Sequence, residues 1–325
     1  MLPLGLSMLW EQSVDPSGAL GERFGFDSVA AAETWVSTVL ARTWGITAGG
    51  CTRIVISDHN AIVWVDSNLG PLVVKWSRAR ERFASLASSS EVLRGLGERG
   101  LPVAAPIATV DGLDRVVLGT PTGPLSVTVL PELTGDWLDI DDESAVRSAG
   151  THLAELHDAL RSVHVIDTAP RLQPLHRRVE NWLADGDRGF APDASRRIGE
   201  LLPSLPALDD EPQLLHNDFR AANILTENST VVGILDFDEV LIGHRVHDLA
   251  KASVYLGTRF TDWRPTPPEV QRTFRAGYES VRPLGPTEAR WLELLVLWQA
   301  VIAVPNADDT AGWASTALDL GAGGT

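Results

Sequence analysis

LLHNDFRAANILTENSTVVGILDFDEV, residues 214–240, decides how this chain reads. Two short apolar strands, 224–226 and 231–235, flank the turn Glu227-Asn228-Ser229, which is a hairpin signal. Before the hairpin, His216, Asp218 and Asn223 stand in a polar loop. After it, Asp236 and Asp238 interrupt an apolar run. Carboxylates inside ILDFDEV would be costly to bury unpaired, so the run asks for a cation. The hairpin returns the chain to the loop, so Asp236 and Asn223 are expected at one place.

These groups suit phosphoryl transfer, which needs charge neutralisation and positioning more than covalent chemistry from the protein. Asp218 is the expected base for an incoming hydroxyl. Asn223 and Asp236 are hard oxygen ligands of the kind Mg2+ takes when phosphates and water complete its shell. Asp238 is either a third metal ligand or a group supporting the site from behind. Arg220 either stabilises charge on the transferring phosphoryl group or pairs with a neighbouring carboxylate.

Upstream, residues 27–44 read as an amphipathic helix capped by Asp27 or Ser28. Three strands follow at 52–57 (TRIVIS), 61–66 (AIVWVD) and 72–76 (LVVKW), joined by short turns as an antiparallel meander. A helix over 77–96 and a strand pair at 115–118 and 126–130 complete a first lobe. Pro131-Glu132-Leu133-Thr134-Gly135 breaks the pattern, so the expected lobes are 1–131 and 132–325. Beyond it, Val146, Ala149, Leu153, Leu156, Leu160 and Val163 recur at helical spacing. Residues 268–278 and 286–304 are also expected to be helical. The fold class is α+β and bilobal, with an antiparallel-sheet first lobe and a mainly helical second lobe.

The pattern H-x-D-x-x-x-x-N, a hydrophobic strand and then D-x-D resembles the aminoglycoside phosphotransferase and choline kinase group of protein-kinase-like small-molecule kinases. His216-Asn217-Asp218 stands where that group has His-Gly-Asp, and His247-Asp248-Leu249-Ala250 resembles its downstream Asp-Leu-Ala. The resemblance implies transfer of the γ-phosphate of ATP (or GTP), with Mg2+, to the hydroxyl of a small acceptor. It implies that Lys75 holds the α- and β-phosphates, that Glu91 (with Glu81 as rival) is its ion-pair partner, and that Asp248 braces the catalytic loop. It further implies that the backbone around Leu130 and Leu133 meets the adenine. No G-x-G-x-x-G precedes the second strand, so ordinary backbone N–H groups or the side chains of Ser57 and Asn60 are expected to cover the phosphates. Asn217 in place of glycine raises the prospect of a different backbone there. A protein kinase ranks low, because the short run from Asp236 to Asp248 leaves almost no activation segment. A catalytically inactive nucleotide-binding or scaffold protein is the other alternative.

Composition narrows the partners. The 325 residues carry a formal net charge of −16, a poor match to nucleic acid, which asks for clustered Lys and Arg. The acidity, with the run Asp136, Asp139, Asp141, Asp142 and Glu143, favours a cationic, amine-bearing acceptor; the plainer reading is helix capping and solubility. The single Cys51 is compatible with a reducing cytoplasm and excludes an intrachain disulfide. His244 with His247, and His152 with His157, lack the third ligand of a zinc enzyme. The apolar start has no basic region ahead of it, and the stretch 291–305 fits a buried helix rather than a membrane span. Oligomeric state is not legible.

Overall fold

The computed structural model describes residues 4–163, 169–185, 192–304 and 309–322. The chain divides into two compact units, the first running to Thr134 and the second beginning at Gly135.

The first unit is a six-stranded sheet with helices. In chain order it holds β1 (Gly5–Met8), α1 (Pro16–Phe24), α2 (Val29–Val39), β2 (Ala48–Ile56), β3 (Asn60–Ser67), β4 (Leu72–Ser77), α3 (Phe83–Glu98), β5 (Val116–Thr120) and β6 (Gly123–Pro131). The sheet order is β1-β2-β3-β4-β6-β5. Only β1 runs parallel to its neighbour, with Gly5 opposite Arg53. The remaining pairs are antiparallel: β2–β3, β3–β4 and β5–β6 are joined by turns of two to four residues, and β4 pairs with β6 across the insertion of α3 and β5. Inward residues Val63, Val65, Val74, Trp76, Val127 and Val129 build one core with Leu20, Phe24, Val36 and Leu40 of the leading helices. Ser28 caps α2 through its side chain, and a single π-turn, Leu40–Trp44, ends at Gly45 in the left-handed conformation.

The second unit holds β7 (Asp136–Trp137), α4 (Glu143–Arg161), α5 (Leu175–Ala184), α6 (Pro192–Leu201), β8 (Gln213–Leu215), β9 (Ile224–Glu227), β10 (Thr230–Ile234), β11 (Leu241–Gly243), α7 (Arg245–Tyr255), α8 (Pro268–Val281), α9 (Pro286–Ile302) and α10 (Trp313–Ala322). Its strands form two small sheets, β10-β9-β7 and β11-β8. The Asn228-Ser229 turn of the β9–β10 hairpin has both residues at positive φ, 48° and 62°, the geometry of the two-residue hairpin turn.

Helix α4 packs on α8 almost backbone to backbone. A Cβ on Gly150 would strike the Phe274 carbonyl, and one on Gly277 would strike the Arg147 carbonyl. Glycine at these two positions is what lets the helices close. Of the stripe expected on α4, Val146, Ala149, Leu153, Leu156 and Leu160 are buried, whereas Val163 lies beyond the helix end at Arg161 and is half-buried. In α9, Trp291, Leu292, Leu294, Leu295, Leu297 and Trp298 are all buried. Among the described residues no helix is long and apolar enough to cross a membrane.

Candidate active site

The loop between β8 and β9 hangs from one buried carboxylate. Asp248, on the first turn of α7, is 1% exposed. Its Oδ2 accepts from the backbone N–H of His216 (3.0 Å) and its Oδ1 from that of Asn217 (2.9 Å). His157 of α4 adds its Nε2 to Oδ2 at 3.1 Å. Burial opposes the charge on Asp248, but the hydrogen bond from His157 and the imidazoles of His216 and His247 beside it hold its carboxyl below the ordinary range.

Behind Asp248 a chain of hydrogen bonds runs through the helical core. His157 Nδ1 meets the Tyr278 hydroxyl at 2.8 Å, Arg245 Nη1 meets the same hydroxyl at 3.1 Å, and Arg245 Nη2 donates to Glu288 at 2.6 Å. Burial pushes the Tyr278 phenol up to about 12, so it keeps its proton. Arginine can only donate and the carboxylate only accept, which fixes the two ends of the chain. Arg245 donates to the Tyr278 hydroxyl, His157 donates from Nε2 to Asp248, and His157 Nδ1 and the Tyr278 hydroxyl share the bond between them.

At the loop itself Asn217 takes φ 64°. This is the left-handed conformation that glycine favours and asparagine tolerates, so the missing glycine leaves the turn intact. Lys251 Nζ holds the Asn217 carbonyl at 2.6 Å. His216 is fully buried; it accepts from the Asp218 N–H at Nδ1 (3.1 Å) and donates from Nε2 to the Leu235 carbonyl (2.9 Å). Burial lowers its pKa, which keeps this neutral tautomer. One imidazole therefore ties the loop to the end of the hairpin that carries Asp236.

The Asp218 carboxylate is partly exposed. Asn223 donates its Nδ2 to Asp218 Oδ2 at 2.7 Å and to the Asp218 carbonyl at 2.8 Å. Arg220 Nε bridges both carboxylate oxygens at 3.0 and 3.2 Å. Of the two roles open to Arg220, pairing with a neighbouring carboxylate is the one seen, and the carboxylate is Asp218. With its nitrogen turned to Asp218, Asn223 keeps an Oδ1 that makes no hydrogen bond among the described residues. Asp236 is exposed and sits at φ 61°, ψ 70°, an uncommon backbone for a non-glycine residue that turns the chain out of β10. Asp238 follows, half-buried, in the short 3-10 turn Phe237–Glu239. Among the described residues no three His, Cys, Asp or Glu side chains gather as a metal site.

In the first unit Lys75 lies on β4 between Ile62 of β3 and Thr128 of β6, half-buried. Glu91 differs from expectation. It is exposed on α3, whose buried face is Leu86, Ser89, Ser90, Val92 and Leu96, and no ion pair reaches it among the described residues. The phase of the helix turns it to solvent. Its rival Glu81 is exposed in the 3-10 turn Arg80–Arg82 and lines a pocket of about 300 Å³ with Arg23, Arg78 and Arg80. Ser57 Oγ and Asn60 face each other across their own turn, with Asn60 N–H donating to Ser57 Oγ at 3.3 Å. Those groups close the turn rather than stand open. Leu130, opposite Val73, and Leu133 beyond β6 are half-buried; the β5–β6 ladder has ended by Val127.

The acidic run after Thr134 has local duties. Asp142 caps α4, accepting from Ser144 and Ala145 N–H groups and from Ser229 Oγ at 2.6 Å, and the Ser229 bond leads in lowering its pKa. Sequence reasoning did not find Arg245, Tyr278 and Glu288. The one available signal was His157 itself, a polar residue at an apolar position of the α4 stripe.

The family model for the phosphotransferase enzyme family matches residues 53–294. Homoserine kinase of Neisseria meningitidis serogroup B is 28% identical over 211 residues, 61% of this chain and 63% of that one. Hydroxylysine kinase of Danio rerio is 24% identical over 298 residues, 81% of this chain and 79% of that one. The chain thus spans a little under two thirds of the length of the homoserine kinase. Among solved structures, a microcompartment-associated aminopropanol kinase aligns with TM-score 0.61 at 19% identity, over 89% of this chain and 94% of its own. Amicoumacin kinase, solved with AMP-PNP, Ca2+ and Ami, aligns with TM-score 0.59 at 16% identity, over 89% and 91%. At such identities these likenesses speak for the fold, which is the α+β, protein-kinase-like one. By its family match the chain belongs to the phosphotransferase enzyme family.

Proposed function

We propose that this protein is a small-molecule kinase that transfers the γ-phosphate of ATP (or GTP) to a hydroxyl of a small, amine-bearing acceptor. The observation that carries the reading is the Asp218 carboxylate, half-open to solvent and oriented by Asn223 and Arg220 in a loop whose backbone is fixed by Asp248. Asp218 receives the acceptor's hydroxyl proton as the acceptor oxygen bonds to the γ-phosphorus and the bond to the bridging oxygen of the nucleoside diphosphate breaks. The relatives named for homoserine, hydroxylysine and aminopropanol support a hydroxylated amine.

The residues fit a hard divalent ion. Asn223 offers an Oδ1 left over from its bonds to Asp218, and Asp236 is an exposed carboxylate at the far end of the same hairpin. Bound Mg2+ would neutralise phosphate charge; Asn223 and Asp236 would hold it, with Asp238 beside them. Lys75 would hold the α- and β-phosphates, and the backbone near Leu130 and Leu133 the base. On this reading the N-terminal unit binds nucleotide and the C-terminal unit binds acceptor, in the cytoplasm where ATP is supplied.

The test is Asp218→Asn in a coupled ADP-release assay over hydroxylated amines. Turnover should fall by about two orders of magnitude or more, the scale of a positioned base, with nucleotide affinity retained. A variant that works at the wild-type rate would remove Asp218 from the reaction.

A further inference from the structure

Side chains from α5, α7 and α9 gather around the Trp298 indole. The Arg178 Cζ of α5 stands 5.1 Å from the Trp298 ring centroid, and the His247 ring centroid of α7 stands 6.4 Å from it. His247 is 2% exposed and Trp298 3%. Arg178 Nη1, His247 Nδ1 and Trp298 Nε1 are all shut off from solvent, and none of the three makes a hydrogen bond among the described residues. The same helix supplies the contrast. Trp291, two turns earlier on α9, gives its Nε1–H to the Pro206 carbonyl at 2.8 Å.

Buried polar groups are ordinarily bonded, so three orphans around one ring ask for an occupant. Arginine and indole N–H groups can only donate, so the occupant must accept. Arg178 also keeps its charge at any working pH, yet no carboxylate pairs with it among the described residues. The charges that bear on His247 lean the same way: Arg178, Lys251 and His244 against Asp248 alone. Asp248 already spends its oxygens on His216, Asn217 and His157. His244 has Asp210 at 2.8 Å, and Lys251 has the Asn217 carbonyl. Arg178 is therefore the cation left to balance. A water molecule would take the hydrogen bonds and leave that charge unopposed.

We propose that the Arg178–His247–Trp298 cluster binds a small monovalent anion, chloride by its chemistry, with Arg178 Nη1 and Trp298 Nε1 as donors and His247 as the third group. Donors each about 3 Å from one ion stand up to about 6 Å from each other, the scale of this cluster. In its neutral form protonated at Nδ1, His247 donates as well. One negative charge suffices, because one guanidinium needs balancing. The cost of dehydrating an ion grows as the square of its charge, which disfavours phosphate and sulfate in a closed site. The ion would tie α5 to α7, whose first turn carries Asp248 and through it the β8–β9 loop. This goes beyond the kinase reading and does not rest on it.

The experiment melts the full chain at fixed ionic strength while chloride replaces gluconate stepwise. Tm should rise along a saturating curve, by about 2 °C or more at the plateau. Arg178→Met, and Trp298→Phe, which removes the N–H and keeps an aromatic face, should each abolish the rise. Arg177→Met, at the exposed neighbouring position, should keep it. Crystals soaked in bromide should show an anomalous peak within about 3.5 Å of Arg178 Nη1 and Trp298 Nε1. A Tm that is the same in both salts overturns the inference and leaves water as the occupant. So does a rise that both variants retain, which is a general salt effect. A bromide peak without a saturating rise overturns it too, as binding at crystal concentration only. Should Arg178→Met fail to fold, Trp298→Phe and the bromide map decide.

Discussion

Replacing Asp248 with asparagine tests the anchoring of the β8–β9 loop with almost no change in shape. The carboxylate accepts three hydrogen bonds, from His216 N–H and His157 at Oδ2 and from Asn217 N–H at Oδ1. An amide has one acceptor oxygen. Placed to serve His216 and His157, it turns its NH2 toward the Asn217 N–H, and two buried donors then face each other. At about 1–3 kcal/mol for each unsatisfied buried donor, less what is recovered by no longer burying a charge, the expected loss is roughly 2–5 kcal/mol. Urea unfolding followed by tryptophan fluorescence measures it. Activity should fall further than stability at working temperature suggests, because a loop displaced by about 1 Å can lose on the order of a hundredfold in rate. An Asp248→Asn protein within 0.5 kcal/mol of wild type, a margin taken from the usual scatter of about that size for neutral substitutions, and with full kcat, would show that the loop does not depend on this carboxylate.

Asp236→Ala should abolish magnesium-dependent nucleotide binding and Asn223→Ala should weaken it less, since an amide oxygen lacks a full charge; a magnesium titration by calorimetry that is unchanged in Asp236→Ala would remove that residue from the metal. Lys75→Ala should raise the nucleotide KM, while Glu91→Ala, exposed as it is, should add nothing in a double-mutant cycle; a coupling above about 0.5 kcal/mol would restore Glu91 as the partner. Burial, then the nearby Arg178 charge, with smaller help from Lys251 and His244, pushes the His247 imidazole down to about 3, against the opposing contribution of Asp248. The unfolded chain takes up a proton near pH 6.5 that the folded one refuses, so this stability is whole above that pH and is lost as pH falls toward 3. Between pH 7 and 5 the loss should be roughly 2 kcal/mol, and His247→Leu should flatten it. Equal losses in the two proteins would contradict the assignment.

The polar loop between β8 and β9, the hairpin after it and most of the α4 stripe were legible because each is local. Short polar runs between strongly periodic segments carry their own signal. The three-strand meander was legible for the same reason, and the strand ends moved by only a few residues. What could not be read was long-range or short. Strand β1 pairs across 48 positions with β2, and β7, β8 and β11 are two or three residues long, too brief for a period. Glu91 rested on the resemblance alone, and the phase of α3 that turns it to solvent is set by packing that no local window contains. The Asp248 chain drew on α4, α7, α8 and α9 together, so no window of sequence contained it. Arg220 was visible as a cation with a neighbouring carboxylate as one of its two readings, but that the carboxylate is Asp218 had to be seen.

The glycine contact between α4 and α8 has a consequence for how this protein's relatives vary. Gly150 and Gly277 set the spacing of the two helices, and the same helices carry His157 and Tyr278, whose ring nitrogen and hydroxyl stand 2.8 Å apart. A methyl group at either glycine would drive the backbones outward, and that hydrogen bond has little length to give. The four positions should therefore be inherited as a set. Descendants that trade one glycine for alanine should also have replaced the imidazole–phenol pair, and a chain that keeps both glycines should keep the pair even where its acceptor has changed.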